Sequence, residues 1–521
     1  MLNRYFAKTL SKGFSLQKMV LNSSKMSQVS HNAQLVHMTK MSFFDYDNKD
    51  KNIFTSDSDD STPSKEKKEG RFDKSNNTSD NFFNRDNRDD GEQHQGRFEL
   101  DDIPMYISKM RNEMTSGKRF NDNTSYFGKV RNFISMHHQN KAAIFSEVPR
   151  STTVFYEYMA YRGQGRENQF LKVLEDNLIE GNIQNMPIAG VKNVLRAMSK
   201  LKRNRASILE NIEKLLIERE GFKDVKSNLI ILRSLQDIRY KVSDEYMLKS
   251  FEAFQNELNT QIDQEVVQFS DTETKINSIR YTYTQGTLRA IGNIAIRHLL
   301  INDISISESD VQEFNSNHTP SQADGLDLLR AGDNTSSLTS HLLLALSQLA
   351  SVNLAGARSH RGDLPPLKYL EACQPAVVAN LPNLKEALEK SASSYKAAVE
   401  EAETREDKRV NQLNKGQLRV ANALDEMGIF YKNHERFHDC YLAQFYLPNE
   451  DVVLEYHELR SFLRNDNNYD DRLLLTNIYM RNQSIKNLGT KFVIVDFLDA
   501  IENKESRQGF LDAIKQKIDN A

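Results

Sequence analysis

Phe437-His438-Asp439-Cys440-Tyr441-Leu442-Ala443-Gln444-Phe445-Tyr446-Leu447 is an aromatic, alternating run; Pro448-Asn449-Glu450-Asp451 is a turn, and Val452-Val453-Leu454-Glu455-Tyr456 runs back from it. Alternation with period two on both sides of a turn predicts a β-hairpin. From Asp470 to Leu488 the spacing changes. Leu473, Leu474, Ile478, Ile485 and Leu488 fall on one helical stripe, and Gly489 stands where a helix stops. Phe492-Val493-Ile494-Val495 is a short apolar, β-branched run of the kind a strand covered on both faces requires. Glu505 to Ile518 predicts a closing helix with Phe510, Leu511, Ile514 and Ile518 inward. The order hairpin, helix, strand, helix defines a small α/β unit over 434–521.

Upstream, from Pro104 to about Asn433, aliphatic residues recur at three and four, with few Gly or Pro and no long alternating run. This stretch is helical, and it repeats. Leu195-Arg196-Ala197-Met198-Ser199-Lys200-Leu201 returns 37 residues later as Leu232-Arg233-Ser234-Leu235-Gln236-Asp237-Ile238. Looser copies follow at Leu288 to Ile294 and Leu344 to Leu349. Each of the first two copies precedes a second amphipathic stretch, Ile208, Ile212, Leu215 and Leu216 in one case and Tyr246, Phe251, Phe254 and Leu258 in the other. A helix pair per period of about 35 to 45 residues predicts an α-solenoid, in which each unit buries its apolar face against its neighbours. The polar segment 303–336 is expected as a flexible surface insertion on it. Leu381 to about Lys408, with alternating charges beside Leu388, Tyr395 and Val399, is expected as an exposed helix of the same domain. The fold class is thus mostly α: an α-helical repeat, solenoid-like domain over 105–433 and a small α/β C-terminal domain.

The C-terminal unit resembles the RAP domain, the closing module of mitochondrial FAST-kinase-type RNA-binding proteins. The resemblance rests on Leu447-Pro448, Leu454-Glu455, Leu475-Thr476, Arg481, Leu488-Gly489, the Val493 to Val495 strand and Phe510-Leu511, and it covers about one sixth of the chain. It implies a fold like that of the restriction-endonuclease-like nucleases, set behind helical repeats. The family usually carries Glu-x-Asp-Gly-Pro-x-His after the second strand. Here Glu455 is kept, His457 stands where the acid would be, and Ser461 where the histidine would be. A metal-dependent nuclease needs at least two hard oxygen ligands on one cation. Asp470, Asp471 and Asp496 are the only candidates for a further ligand, so the module is read as a degenerate nuclease-like fold kept for binding. No catalytic residue is assigned.

At 521 residues the chain is long enough for two or three domains. A net charge of −3 means that nucleic-acid affinity has to come from local patches. Two cysteines, Cys373 and Cys440, build no disulfide framework, and no run has the eighteen apolar residues of a membrane span. Residues 1–44 hold six basic residues (Arg4, Lys8, Lys12, Lys18, Lys25, Lys40), many Ser and no acid, with Leu2, Tyr5, Phe6 and Leu10 on one helical side. That is the composition of a mitochondrial presequence and places the protein in the matrix. Residues 45–104, rich in Asn, Asp, Lys, Ser and Gly, are expected as a disordered low-complexity spacer.

The densest basic cluster is Lys200-Leu201-Lys202-Arg203-Asn204-Arg205, at the turn between the helices of the first clear repeat, with Arg196 one helical turn before it. Arg233, Arg239 and Lys241 occupy corresponding places in the next. Cations at repeat spacing can track a phosphate backbone by counterion release, and Arg481 and Lys486 of the C-terminal module join the candidate RNA-binding set. Glu455 and His457 are its RAP-like motif. Tyr281 and Tyr283, near Arg280 and Arg289, offer rings on which bases can stack. His434 and His438 form an i, i+4 pair, but no recognised metal spacing is completed, and there is no phosphate-cradling Gly-rich loop, nucleophile elbow or kinase set. The expected function is non-catalytic binding of single-stranded mitochondrial RNA or rRNA in processing, stability, editing or ribosome assembly, with no cofactor and no metal. The partners are RNA and other proteins of a mitochondrial ribonucleoprotein complex. The alternative is a protein-binding scaffold subunit of such a complex or of the mitoribosome; an RNA endonuclease is the more distant rival.

Overall fold

The computed structural model describes residues 103–116, 149–162, 168–177, 183–266, 285–318, 336–355, 364–404, 413–437, 441–464, 473–497, 499 and 507–521. The expected presequence, nearly all of the expected spacer, Tyr281, Tyr283, His438, Cys440, Asp470 and Asp471 lie outside them. Residues 99–521 form one compact unit, mostly helical with a small mixed sheet late in the chain. None of the described helices is long and apolar enough to cross a membrane.

The first helices are α1 (Ile103–Ser116), α2 (Pro149–Tyr161), α3 (Asn168–Asn177), α4 (Ile188–Leu201), α5 (Ala206–Glu218), α6 (Val225–Asp237), α7 (Asp244–Val266) and α8 (Gln285–Ile301). They are followed by α9 (Glu308–Asn317), α10 (Leu338–Ala355), α11 (Leu364–Cys373), α12 (Pro375–Asn380) and α13 (Leu384–Thr404). Consecutive packing runs α1 on α2, α2 on α4, α4 on α6, α6 on α8, α8 on α10 and α10 on α13. The reason is legible in α4, whose Val191, Val194, Leu195, Met198 and Leu201 are all buried at helical spacing.

Two helices pass closely where α8 meets α10. A Cβ built on Gly292 would lie 2.6 Å from Cβ of Leu349, so Gly292→Ala should cost about 1–3 kcal/mol through overpacking. That loss exceeds the ~1 kcal/mol that alanine gains in helix propensity. A lowered urea midpoint for the variant is the check.

The C-terminal part begins earlier than residue 434. It comprises α14 (Lys415–Glu426), β1 (Lys432–Phe437), β2 (Tyr441–Leu447), β3 (Val452–His457), α15 (Thr476–Asn487), β4 (Lys491–Asp496) and α16 (Arg507–Asp519). The strand order is β1-β2-β3-β4. The predicted hairpin is present, with Phe445 opposite Leu454 and Leu447 opposite Val452, and β4 adds parallel to β3 with Val453 opposite Phe492. Val420 and Leu424 of α14 share a buried cluster with Phe445, Leu454, Val493, Val495, Ile514 and Ile518. A boundary at 433 therefore cuts through β1 and separates α14 from its own core. Helix α14 starts on a capping box: Asn414 Oδ1 accepts from the Gln417 N–H at 2.9 Å, and Gln417 Oε1 accepts from the Asn414 N–H at 2.9 Å.

Three further expectations change. The insertion 303–336 contains a helix, α9, because Ser307 and Asp310 form a reciprocal cap and Val311 and Phe314 are buried beneath it. A Ser- and Asp-rich composition hid a helix start. The stripe from Leu473 to Leu488 also fails. Leu473 and Leu474 precede α15, Leu488 is 37% exposed, and the helix buries Thr476, Met480, Asn482, Ser484 and Ile485. Its inner face is largely polar, and Thr476 there meets the end of α6. The charged helix α13 is only partly outside the packing: Ala387, Leu388 and Ser391 are buried, and Lys390 Nζ donates to the Leu354 carbonyl at 2.6 Å.

Candidate nucleic-acid interface

Three helices of the packed row end in the same way. After α4, α6 and α8 the chain turns through Lys202 (φ 58°), Arg239 (φ 54°) and Asp303 (φ 54°). The next N–H then reaches back five residues, from Arg203 to Met198 O at 2.9 Å, Tyr240 to Leu235 O at 3.0 Å and Ile304 to Leu299 O at 2.9 Å. These are Schellman ends, in which a left-handed residue lets the chain reverse and satisfies the last carbonyls. Glycine is the usual occupant, and a side chain there costs about 1 kcal/mol or more. All three occupants have a compensating contact with the C-terminal module. Lys202 Nζ donates to the Arg460 carbonyl at 2.9 Å, the Arg239 guanidinium lies 3.7 Å from the centre of the Tyr479 ring, and Tyr479 Oη donates to Asp303 Oδ1 at 3.2 Å.

Helix α15 is the element that these ends hold. Thr476 Oγ1 donates to the Asp237 carbonyl at 3.0 Å and also to Gln236 O, while Arg297 Nη2 donates to Asn477 Oδ1 at 2.9 Å. The segment after β3 joins the same seam: the Arg464 N–H donates to Lys202 O at 2.7 Å and the Asn204 N–H to Arg464 O at 3.3 Å. Helix ends expose unsatisfied carbonyls, and the Thr476 hydroxyl answers those of α6. On the same buried face Ser484 donates instead to Met480 O within α15.

The candidate RNA-binding residues divide accordingly. Arg203 is 1% exposed and forms a two-pronged pair with the fully buried Glu175, Nε to Oε1 at 2.9 Å and Nη2 to Oε2 at 2.7 Å. Tyr156 Oη donates to the same carboxylate at 2.7 Å, and Arg205 reaches Glu175 Oε2 at 3.4 Å and Asp176 Oδ1 at 3.0 Å. Burial and then the Glu175 charge push the Tyr156 phenol well above its ordinary pKa. Arg233 pairs with Asp237 at 3.1 Å. Burial works against that carboxylate, but Arg233 and Arg297 outweigh it and hold its pKa below the ordinary value. Lys202 and Arg239 sit in the seam, and Arg481 is bound to Glu455. Arg196, Lys200, Lys241 and Lys486 are exposed. The repeat-spaced cations therefore do recur in space, but the turn's Lys202, Arg203, Arg205 and Arg239 serve packing.

Sequence reading missed Glu175, Tyr156, Asp237 and Arg297. One signal was present: Leu171, Leu174 and Glu175 stand at i, i+3 and i+4, which puts a carboxylate on an apolar helix face.

Glu455 and His457 lie on β3 beside the parallel strand β4, with His457 opposite Asp496. Between β2 and β3 the ladder continues through side chains: Glu455 Oε1 accepts from the Gln444 N–H at 3.0 Å, and Gln444 Oε1 accepts from the Tyr456 N–H at 2.9 Å. Glu455 Oε2 accepts from Arg481 Nη2 at 2.6 Å. Both oxygens of this buried carboxylate are engaged, so it ties β2, β3 and α15 together. His457 is 1% exposed, with neither ring nitrogen hydrogen-bonded and its ring edge-on to Phe462. Burial first, then the Arg481 charge, lower its pKa to about 4 against the pull of Asp496. Among the described residues no group of three or more His, Cys, Asp or Glu is placed to hold a metal. No protein-family model and no curated protein matches the chain.

Proposed function

We propose that the chain is a non-catalytic RNA-binding protein of the mitochondrial matrix, a solenoid-like helical repeat domain closed by a RAP-like module, acting in transcript processing, stability, editing or ribosome assembly. The observation that carries the reading is the C-terminal order: an antiparallel β2–β3 pair, a helix, a strand parallel to β3 and a closing helix, on the residues where the RAP resemblance lies. The consecutive packing of α1, α2, α4, α6, α8, α10 and α13 supports the repeat domain. Binding is favoured over hydrolysis because Glu455, the one retained acid of the motif, has both oxygens engaged by Gln444 and Arg481, whereas a nuclease directs its carboxylates at a cation.

The test is crosslinking of the full-length protein in intact mitochondria, followed by denaturing purification and sequencing of attached RNA. Recovery of defined transcripts supports the proposal. Copurifying proteins without crosslinked RNA favour a scaffold subunit of a mitochondrial ribonucleoprotein complex. One observation leans that way: the densest basic turn is engaged within the protein.

A further inference from the structure

A different basic surface lies on the exposed faces of the row. Helix α2 packs against both α1 and α4 and carries a half-buried carboxylate, Glu157, on which the charges of Arg111 of α1 and Arg196 of α4 both act. Both arginines are exposed, as is Lys200, one helical turn beyond Arg196. Arg233 of α6 borders the same face: its partner Asp237 also accepts from Ser199 of α4 at 3.3 Å. Burial raises the pKa of Glu157 despite Asn193 and the two arginines, and Asp237 is a second carboxylate set among these cations.

We propose that Arg111, Arg196, Lys200 and Arg233 form the surface on which the protein carries the phosphates of single-stranded RNA. The inference rests on the RNA-binding reading above and names its surface. Four helices packed side by side at interaxial distances of about 8–10 Å place the cations along a band about 25–30 Å long. A band of that length suits a flexible linear polyanion better than a single phosphate or carboxylate. Cations on an exposed helix face bind by counterion release, with a salt slope of about 0.7 per phosphate contact for single strands.

The full chain is titrated with a fluorescent single-stranded uridine 20-mer at several salt concentrations. It is compared with Arg111→Glu/Arg196→Glu/Lys200→Glu and with a control of equal charge change at exposed positions elsewhere, Lys385→Glu/Lys415→Glu/Lys515→Glu. All six side chains are exposed, and circular dichroism verifies the fold. The expected result is at least a tenfold loss of affinity and a salt slope smaller by about 2 for the face variant, with the control within threefold of the parent. Parent binding retained by the face variant, or lost equally in the control, overturns the surface while leaving RNA binding in place. Displacement of the RNA by polyglutamate at equal charge concentration overturns RNA as its occupant. A parent chain with no salt-sensitive RNA affinity sinks the RNA-binding reading itself.

Discussion

Glu175→Gln is expected to destabilise the protein by about 3–5 kcal/mol, because it leaves the buried Arg203 guanidinium without its counter-charge. The glutamine keeps the size of the side chain and an acceptor for Tyr156, so loss of the charge is isolated from loss of volume. Arg203 has almost no exposure through which water can replace the carboxylate. The loss is large against a total stability of about 5–15 kcal/mol, and urea denaturation of the full chain measures it. Glu175→Leu/Arg203→Met removes both charges together and should recover most of the loss, as buried ion pairs exchanged for apolar side chains commonly do. If Glu175→Gln costs less than 1 kcal/mol, Arg203 does not depend on this pair and returns to the candidate RNA-binding set.

The second large effect is acid sensitivity. His298, His341 and His457 are all buried, and burial holds each pKa down to about 4, from an ordinary value of 6.5. His457 also faces Arg481, and His341 faces His318, while Asp244 acts in the opposite sense on His298. The unfolded chain takes up protons at these three sites below pH 6.5 and the folded chain does not. Stability is therefore full above about 6.5 and falls as pH drops towards 4. A shift of about 2.5 units corresponds to roughly 3 kcal/mol per histidine, so the three together approach the whole stability of a typical domain. Urea midpoints measured from pH 8 to 4 should fall steeply below 6.5. His341→Leu/His457→Leu should flatten that fall, since neither ring has a hydrogen-bonded nitrogen to lose. An unchanged midpoint down to pH 4.5 in the parent protein would show that these imidazoles protonate without unfolding. Losses below pH 4 belong instead to carboxylates such as Asp237, Asp224 and Asp310, whose pKa values are lowered.

Elements with a local cause were legible. Period-two alternation and a Pro-Asn turn marked β2 and β3, and an apolar β-branched run marked β4 as a strand covered on both faces; that it pairs with β3 alone, at the sheet edge, came from the structure. The 37-residue recurrence put Lys202 and Arg239 in equivalent places, and their backbone angles and reverse hydrogen bonds are indeed equivalent. Strand β1 was not legible: Lys432-Asn433-His434-Glu435 has no apolar alternation because it lies at the sheet edge, and its pairing comes from β2. Helix α15 was misplaced because its buried face is largely polar: Thr476 answers carbonyls at the end of α6, and Asn482 and Ser484 stand where leucines were expected.

The sequence by itself determined most of the helices and the strands β2, β3 and β4, since those depend on side chains three, four or two positions apart. It also determined the register of the hairpin, because a slip by one residue would turn Phe445 and Leu454 out of the core. What the basic residues do was decided only by the tertiary structure. A charge in a sequence carries no information about the group brought opposite it: Glu175 lies 28 residues before Arg203, and the carbonyl that holds Lys202 lies 258 residues after it. Buried opposite a carboxylate, as Arg203 is, an arginine is a packing element; Arg196 lies exposed on a helix face.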